Sequence, residues 1–446
     1  MQTLIKNATI VNEGQRMQKD VLIKDKKIYK IADSIIVENI KKGDLIIDAD
    51  GLLLIPGIID DQVHFRDPGL TYKGDIYSES RAAAAGGVTS FMDMPNTLPP
   101  TTNENLLKEK LKIAAENSLI NYSFFIGATN ENIEEIKNID KQNVAGVKMF
   151  LGSSTGNLLV NDPEVIEEIL SVSPVIVAAH CEDDNIIKKN LEEYKAKYGE
   201  NIPIKYHPAI RSEEACYKSS SSAVKIAKET GGKLHILHLS TEKETGLLTT
   251  SSLSSKKITS EVCVHHLWFN ESDYERLGTK IKWNPAIKKE SDRLALIQAL
   301  RDGKIDIVAT DHAPHTLEEK NNPYTSAPSG GPLIQHSLPA MIELSLKGYF
   351  SIEDIVKWMS HNPADLYQIE LRGYIREGYY ADLVLFDPEE KTQVTKENIL
   401  YKCKWSPFEG TEFNSKIMTT FVNGQIVYNN EEILNNNAAM PLEFNR

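Results

Sequence analysis

Histidines, a lysine and an aspartate recur at the C-terminal ends of short apolar runs. That placement constrains the fold of this chain more than any other feature. Gln62-Val63-His64, Lys148, His180, His238 and Asp311 each close such a run. They are far apart in sequence, so only a tertiary fold brings them together. A (β/α)8 barrel does this by construction, because the C-terminal ends of its strands surround one mouth.

The rest of the pattern agrees. Candidate strands lie at 54–65, 89–95, 121–128, 144–151, 174–181, 233–240, 258–267 and 305–311. Helix-like segments separate most of them, for example 103–116 and 290–302, and one runs into Gly231-Gly232, a usual helix stop. These units predict an α/β fold, a TIM-type barrel over 55–374. The flanks read differently. Residues 1–54 and 375–446 carry short β patterns, with an Asn423-Gly424 turn signal, and are expected to build one small composite β-sandwich domain. Residues 317–332, rich in Pro, Gly and Ser, read as a loop at the barrel mouth that carries substrate contacts.

A chain of 446 residues suits one large domain and one small one. The formal charge of −13 argues against a nucleic-acid partner. It also means that an anionic substrate needs a local positive site. Cys181, Cys216, Cys263 and Cys403 form no CxxC pair, which fits a reduced, cytoplasmic protein. Neither a signal peptide nor a membrane-spanning apolar run is read.

Gln62 and His64 lie two apart on a strand and face the same side, so one strand can offer two metal ligands. Gln is the weaker of the pair, and His64 alone fits a ligand or a structural role equally. Lys148 sits in GVKMFLG. A lysine there is paired, modified, or reaches solvent along its stem. His180 ends VIVAAH. In LHILHLST, His235 and His238 are an odd number apart, so strand alternation sends them to opposite sides. His238 is the better candidate for the interior, with His235 packed outside the barrel. His265-His266 are lining or structural. Asp311, in VATDHAPHT, can bind a metal and move a proton; His312 orients neighbours and His315 reaches the mouth. Arg66, in HFRDPG, can hold a carboxylate or make a surface ion pair. Asn96, in MPNT, is a neutral donor or a turn residue. Together these residues point to a metal-dependent hydrolase.

In order, DDQVHFRDPG, AAAAGGVTSFMDMPNT, GVKMFLGSSTG, AAHCED, LHILHLST, VHHLWF, KWNPAI and ATDHAPHT resemble the dihydroorotases of the amidohydrolase superfamily. The resemblance implies one zinc at His64, Asp311 and the position of Gln62. It implies a second at His180 and His238, with a carboxylated Lys148 bridging the two. It further implies that Arg66, Asn96 and His315 hold a substrate carboxylate and that Asn284 lines the ring site. The implied reaction is reversible hydrolysis of the cyclic amide of dihydroorotate to N-carbamoyl-aspartate, in pyrimidine biosynthesis, with Asp311 moving the proton. The chain departs from the family pattern at Gln62, where His is usual. It departs also at Ala286 and Lys288 of NPAIK, and at Gln335 in place of a glutamate.

Two other functions fit parts of the pattern. One is an allantoinase- or hydantoinase-type cyclic amidohydrolase, for which Arg66 is the discriminator. The other is a non-catalytic homologue acting as a scaffold for an enzyme such as aspartate transcarbamoylase, which Gln62 alone favours. A homodimer is the default oligomer.

Overall fold

The computed structural model describes residues 2–36, 41–152 and 157–446. The Ser153–Gly156 part of GVKMFLGSSTG thus lies outside the described residues. Eight parallel strands form the centre: β6 (Ile58–Val63), β7 (Val88–Asp93), β8 (Asn121–Gly127), β9 (Gly146–Phe150), β10 (Val177–His180), β11 (Leu234–Ile236), β12 (Ile258–Cys263) and β13 (Ile307–Ala309). They pair in sequence order. The ring is drawn shut where Val63 bridges His312 and His64 N donates to His312 O at 2.7 Å. All eight predicted strands are present, seven within their predicted spans and β7 starting one residue early, at Val88.

Two spans are cut by local chemistry. Residues 54–65 hold two elements, because Gly57 separates β5 (Leu53–Pro56) from β6. A Cβ on Gly57 would lie 2.1 Å from Thr89 Oγ1, so only glycine lets the chain cross there. The segment 258–267 leaves the sheet at Cys263 and continues as a short helix, Val264–Trp268. The predicted helices appear as Glu104–Asn117, capped by the Asn103 side chain, and Glu290–Arg301. The helix Glu213–Thr230 stops at Gly231, whose φ of 73° is left-handed.

Both chain ends share a second, sheet-rich domain. It contains β1 (Gln2–Asn12), β2 (Gln15–Lys24), β3 (Lys27–Ala32), β4 (Leu45–Asp48) and β5, joined to β14 (Leu383–Asp387), β17 (Lys416–Val422), β18 (Gln425–Asn429) and β19 (Glu432–Ile433). A separate ribbon pairs β15 (Thr392–Gln393) with β16 (Glu412–Phe413). The first half meets the second where β5 pairs with β14. Asn423-Gly424 turns β17 into β18, both residues at positive φ. The chain then returns beneath the barrel. Leu442 and Phe444 pack with Tyr367, Phe125 and Ile59 and close the end opposite the mouth.

The expectation for His235 is corrected. It is fully buried, and its Nε2 lies 3.3 Å from Glu261 on β12 and 3.7 Å from Asp61 on β6. β6 and β11 are not neighbours in the sheet, so these groups meet inside the barrel. Alternation failed because the chain leaves regular strand geometry after Ile236. His238 has a φ of 38°, which turns its side chain inward as well. Residues 317–332 are corrected at their start: Leu317–Lys320 is a short helix with a Thr316–Glu319 capping box.

Candidate active site

One cavity of 530 Å³ at the mouth is lined by all ten predicted site residues: Gln62, His64, Arg66, Asn96, Lys148, His180, His238, Asn284, Asp311 and His315. Lys73 lines it too. Arg66, His238 and Asp311 take φ values of 67°, 38° and 47°. A left-handed conformation costs a non-glycine residue about 1–3 kcal/mol and persists only where surrounding contacts enforce it. Three such residues around one cavity mark a built site.

The enforcing contacts are visible. Thr310 Oγ1 donates to Asp60 Oδ2 at 2.6 Å, joining β13 to β6 just before Asp311. Trp283 Nε1 donates to the Asp311 carbonyl at 3.2 Å. Phe65 N, between His64 and Arg66, donates to Asp93 Oδ1 at 2.7 Å, and Asp93 is held from behind by buried Lys110 at 2.5 Å.

The nitrogen and oxygen donors fall into two pairs. His64 Nδ1 donates to Asn96 Oδ1 at 2.7 Å, which leaves the Nε2 lone pair 3.2 Å from Asp311 Oδ1. His180 Nε2 donates to Glu182 Oε2 at 2.9 Å, and its Nδ1 faces His238 Nε2 at 3.0 Å. A histidine fixed through its outer nitrogen by a carboxylate or amide is the usual support of a metal ligand. Burial holds His64 and His238 well below the usual imidazole range, so both stay neutral, as ligands must. The donor set therefore fits a hard or borderline divalent cation.

Lys148 is 1% exposed, and burial lowers its ammonium to about 8. Among the described residues no carboxylate lies within ion-pair distance of it. Burial raises Asp311 to about 7, against the pull of Lys148. Gln62 turns its amide nitrogen toward Asp311 Oδ1 at 3.5 Å, while its Oε1 accepts from Cys263 Sγ at 3.6 Å.

At the opposite wall, Arg66 Nε donates to Pro314 O at 3.1 Å. Its Nη2 lies 3.0 Å from His315 Nε2, and no acidic partner reaches the guanidinium among the described residues. Asn284 Oδ1 is buried without a hydrogen-bond partner, an acceptor left for a ligand. His312 instead binds Glu79 at 3.0 Å and accepts from Leu333 N, a structural role. His265 stacks on Trp283, and His266 donates to Pro285 O. The departures at 286, 288 and 335 do not line the cavity. Lys288 Nζ donates to Ser240 Oγ, and Gln335 anchors the 398–400 segment.

The residues not anticipated are Lys73, Glu182, Glu261 and the Asp60-Asp61 pair. Two adjacent carboxylates within an apolar strand were a readable signal, since burying them demands partners. Lys73 gave none, because its partners His315 and Glu319 lie about 240 residues away in the sequence.

A parallel barrel with paired histidine, lysine and aspartate donors at its strand ends is the architecture of a metal-assisted hydrolase. The amidohydrolase family model matches residues 53–427, and the chain belongs to that family. It is 33% identical over 420 residues to a dihydroorotase of Methanosarcina mazei, covering 92% of this chain and 90% of that one. It is 34% identical over 434 residues to a dihydroorotase of Clostridioides difficile, covering 96% and 99%. Among solved structures, the L-hydantoinase of Arthrobacter aurescens superposes with a TM-score of 0.92 at 26% identity, over 99% of both chains. No helix among the described residues is long and apolar enough to cross a membrane.

Proposed function

We infer that this chain is a dihydroorotase, interconverting dihydroorotate and N-carbamoyl-aspartate in pyrimidine synthesis. The observation that carries this inference is Arg66. It is a buried guanidinium without an acidic partner among the described residues, at one wall of a cavity whose other wall gathers His64, Lys148, His180, His238 and Asp311. A dihydroorotate carboxylate supplies the missing charge and accepts two hydrogen bonds from Arg66. His315 and Asn96 flank that end, and Asn284 receives a ring N–H.

We assign His64, Asp311 and, weakly, Gln62 to one zinc, and His180 and His238 to another, with a carboxylated Lys148 between them. A bound zinc would activate water and polarise the ring carbonyl. A carbamate forms when the neutral Lys148 amine attacks carbon dioxide and releases a proton. It replaces a positive charge beside the cation site with a negative one. Asp311 takes the proton of the attacking water and returns it to the leaving ring nitrogen. Glu182 holds His180 and Asn96 holds His64 in register. We place the enzyme in the cytoplasm, as a homodimer, with its domain boundaries at 54/55 and 374/375.

The test is turnover of dihydroorotate and N-carbamoyl-aspartate by zinc-replete protein, with metal counted per chain. Turnover is expected. Inert protein that also fails on allantoin and hydantoins would support the scaffold instead. The likeness to a hydantoinase fold favours a second reading, a neutral cyclic amide as substrate. In that case Arg66→Ala would harm hydantoin turnover as much as dihydroorotate turnover.

A further inference from the structure

Lys73 reaches the cavity from the loop after β6, and its position has a consequence for His315. Its Nζ lies 3.0 Å from His315 Nδ1 and 2.9 Å from Glu319 Oε1. The other ring nitrogen, Nε2, lies 3.0 Å from the Ser329 carbonyl and 3.0 Å from Arg66 Nη2. Burial and the adjacent Arg66 charge hold His315 well below the usual imidazole range, so the ring is neutral.

A neutral imidazole has one N–H and one lone pair. Lysine and arginine only donate, and a carbonyl only accepts. With the proton on Nε2, Lys73 donates to Nδ1 and Nε2–H donates to Ser329, so two contacts form. Arg66 Nη2 is then left without an acceptor on the ring. With the proton on Nδ1, only the Arg66 contact forms, because the carboxylate oxygen facing Nδ1, Glu319 Oε2, lies 3.7 Å away, beyond hydrogen-bond reach. The Lys73 ammonium would then face an N–H, and the Ser329 carbonyl a lone pair. Two contacts against one, in a buried setting where an unmade contact is costly, decide for Nε2–H.

We propose that Lys73 is a positioning residue that holds His315 as its Nε2–H tautomer and thereby keeps the Arg66 guanidinium free for the substrate carboxylate. This rests on the dihydroorotase reading of Arg66. Without Lys73 the ring can reverse its tautomer and accept from Arg66, occupying the donor that the substrate needs.

Two-bond proton–nitrogen correlation on 15N-histidine protein reads which His315 nitrogen carries the proton, without substrate. Wild type is expected to show Nε2–H. Lys73→Met is expected to shift His315 toward Nδ1–H and to raise KM for dihydroorotate about tenfold, the loss of one charge-assisted contact, with kcat changed less. Lys73→Arg should keep the wild-type tautomer and KM. Nδ1–H in wild type overturns the proposal, and needs no variant to fold. So does a Lys73→Met protein in which tautomer and KM do not move together. Wild-type protein inert toward dihydroorotate would instead sink the substrate assignment, while the spectrum still decides the tautomer.

Discussion

Gln62 presents its amide nitrogen, not its oxygen, to Asp311, at 3.5 Å from Oδ1. The orientation follows from its neighbours: a carboxylate on one side calls for a donor, and the Cys263 thiol on the other calls for an acceptor. An amide so placed offers no lone pair to a cation beside His64 and Asp311. Ligation would require it to turn over and give up both contacts. Gln62→His should therefore tighten metal at that position. The expected result is more metal retained per chain after dialysis against a weak chelator, read by elemental analysis. Equal retention by both proteins would mean that Gln62 already serves as a ligand.

Lys148 lines the same cavity as the two donor pairs, buried and with no carboxylate at ion-pair distance among the described residues. Lys148→Ala removes the group that would join them. Metal content should fall in this variant, and small carboxylates such as acetate or propionate should restore part of it, along with part of the turnover. Unchanged metal content would remove the bridging role.

Asp311 combines a left-handed backbone, a raised carboxyl and contact with His64. Asp311→Asn keeps the shape and loses the proton acceptor. Turnover should drop by about 10²–10⁴-fold or more, with the thermal melting profile close to wild type. Retained activity would show that the proton travels by another group.

Two lysines secure the wall of the cavity from below. Lys282 Nζ donates to Tyr324 O and Ala327 O, and Lys320 Nζ to Pro328 O and Gly330 O. Burial lowers Lys282 to about 8 and shifts Lys320 in the same direction. An unfolded lysine titrates near about 10.4. Between these values the unfolded chain binds a proton that the folded chain does not, so stability should rise with pH across that window. Below the folded value both states are charged, and the cost of burying the charge is felt in full. Urea midpoints should increase from about pH 8 to about pH 10, and Lys282→Met should flatten that slope. A slope identical to wild type would assign the effect elsewhere.

Much of the fold was legible because apolar periodicity is a local property. The eight barrel strands, the turn at Asn423-Gly424 and the stop at Gly231 each depend on residues within a few positions of one another. The ten cavity residues were legible for a related reason: a barrel sends every strand end to one mouth, so position on a strand stands in for position in space. His235 shows where that substitution fails. Its partners Asp61 and Glu261 come from other strands, and His238 leaves strand geometry, so counting along the chain misplaced His235.

By itself, then, the sequence determined the barrel, the sharing of a second, sheet-rich domain by the two ends, and ten of the side chains that meet at the mouth. Only the tertiary structure decided what those side chains offer one another: the inward turn at His238, the face of the Gln62 amide, and the grip of Lys73 on His315. The reason is physical. Strand and helix patterns are written in short-range sterics and burial, whereas a tautomer or an amide orientation is set by single atoms that distant segments bring within about 3 Å.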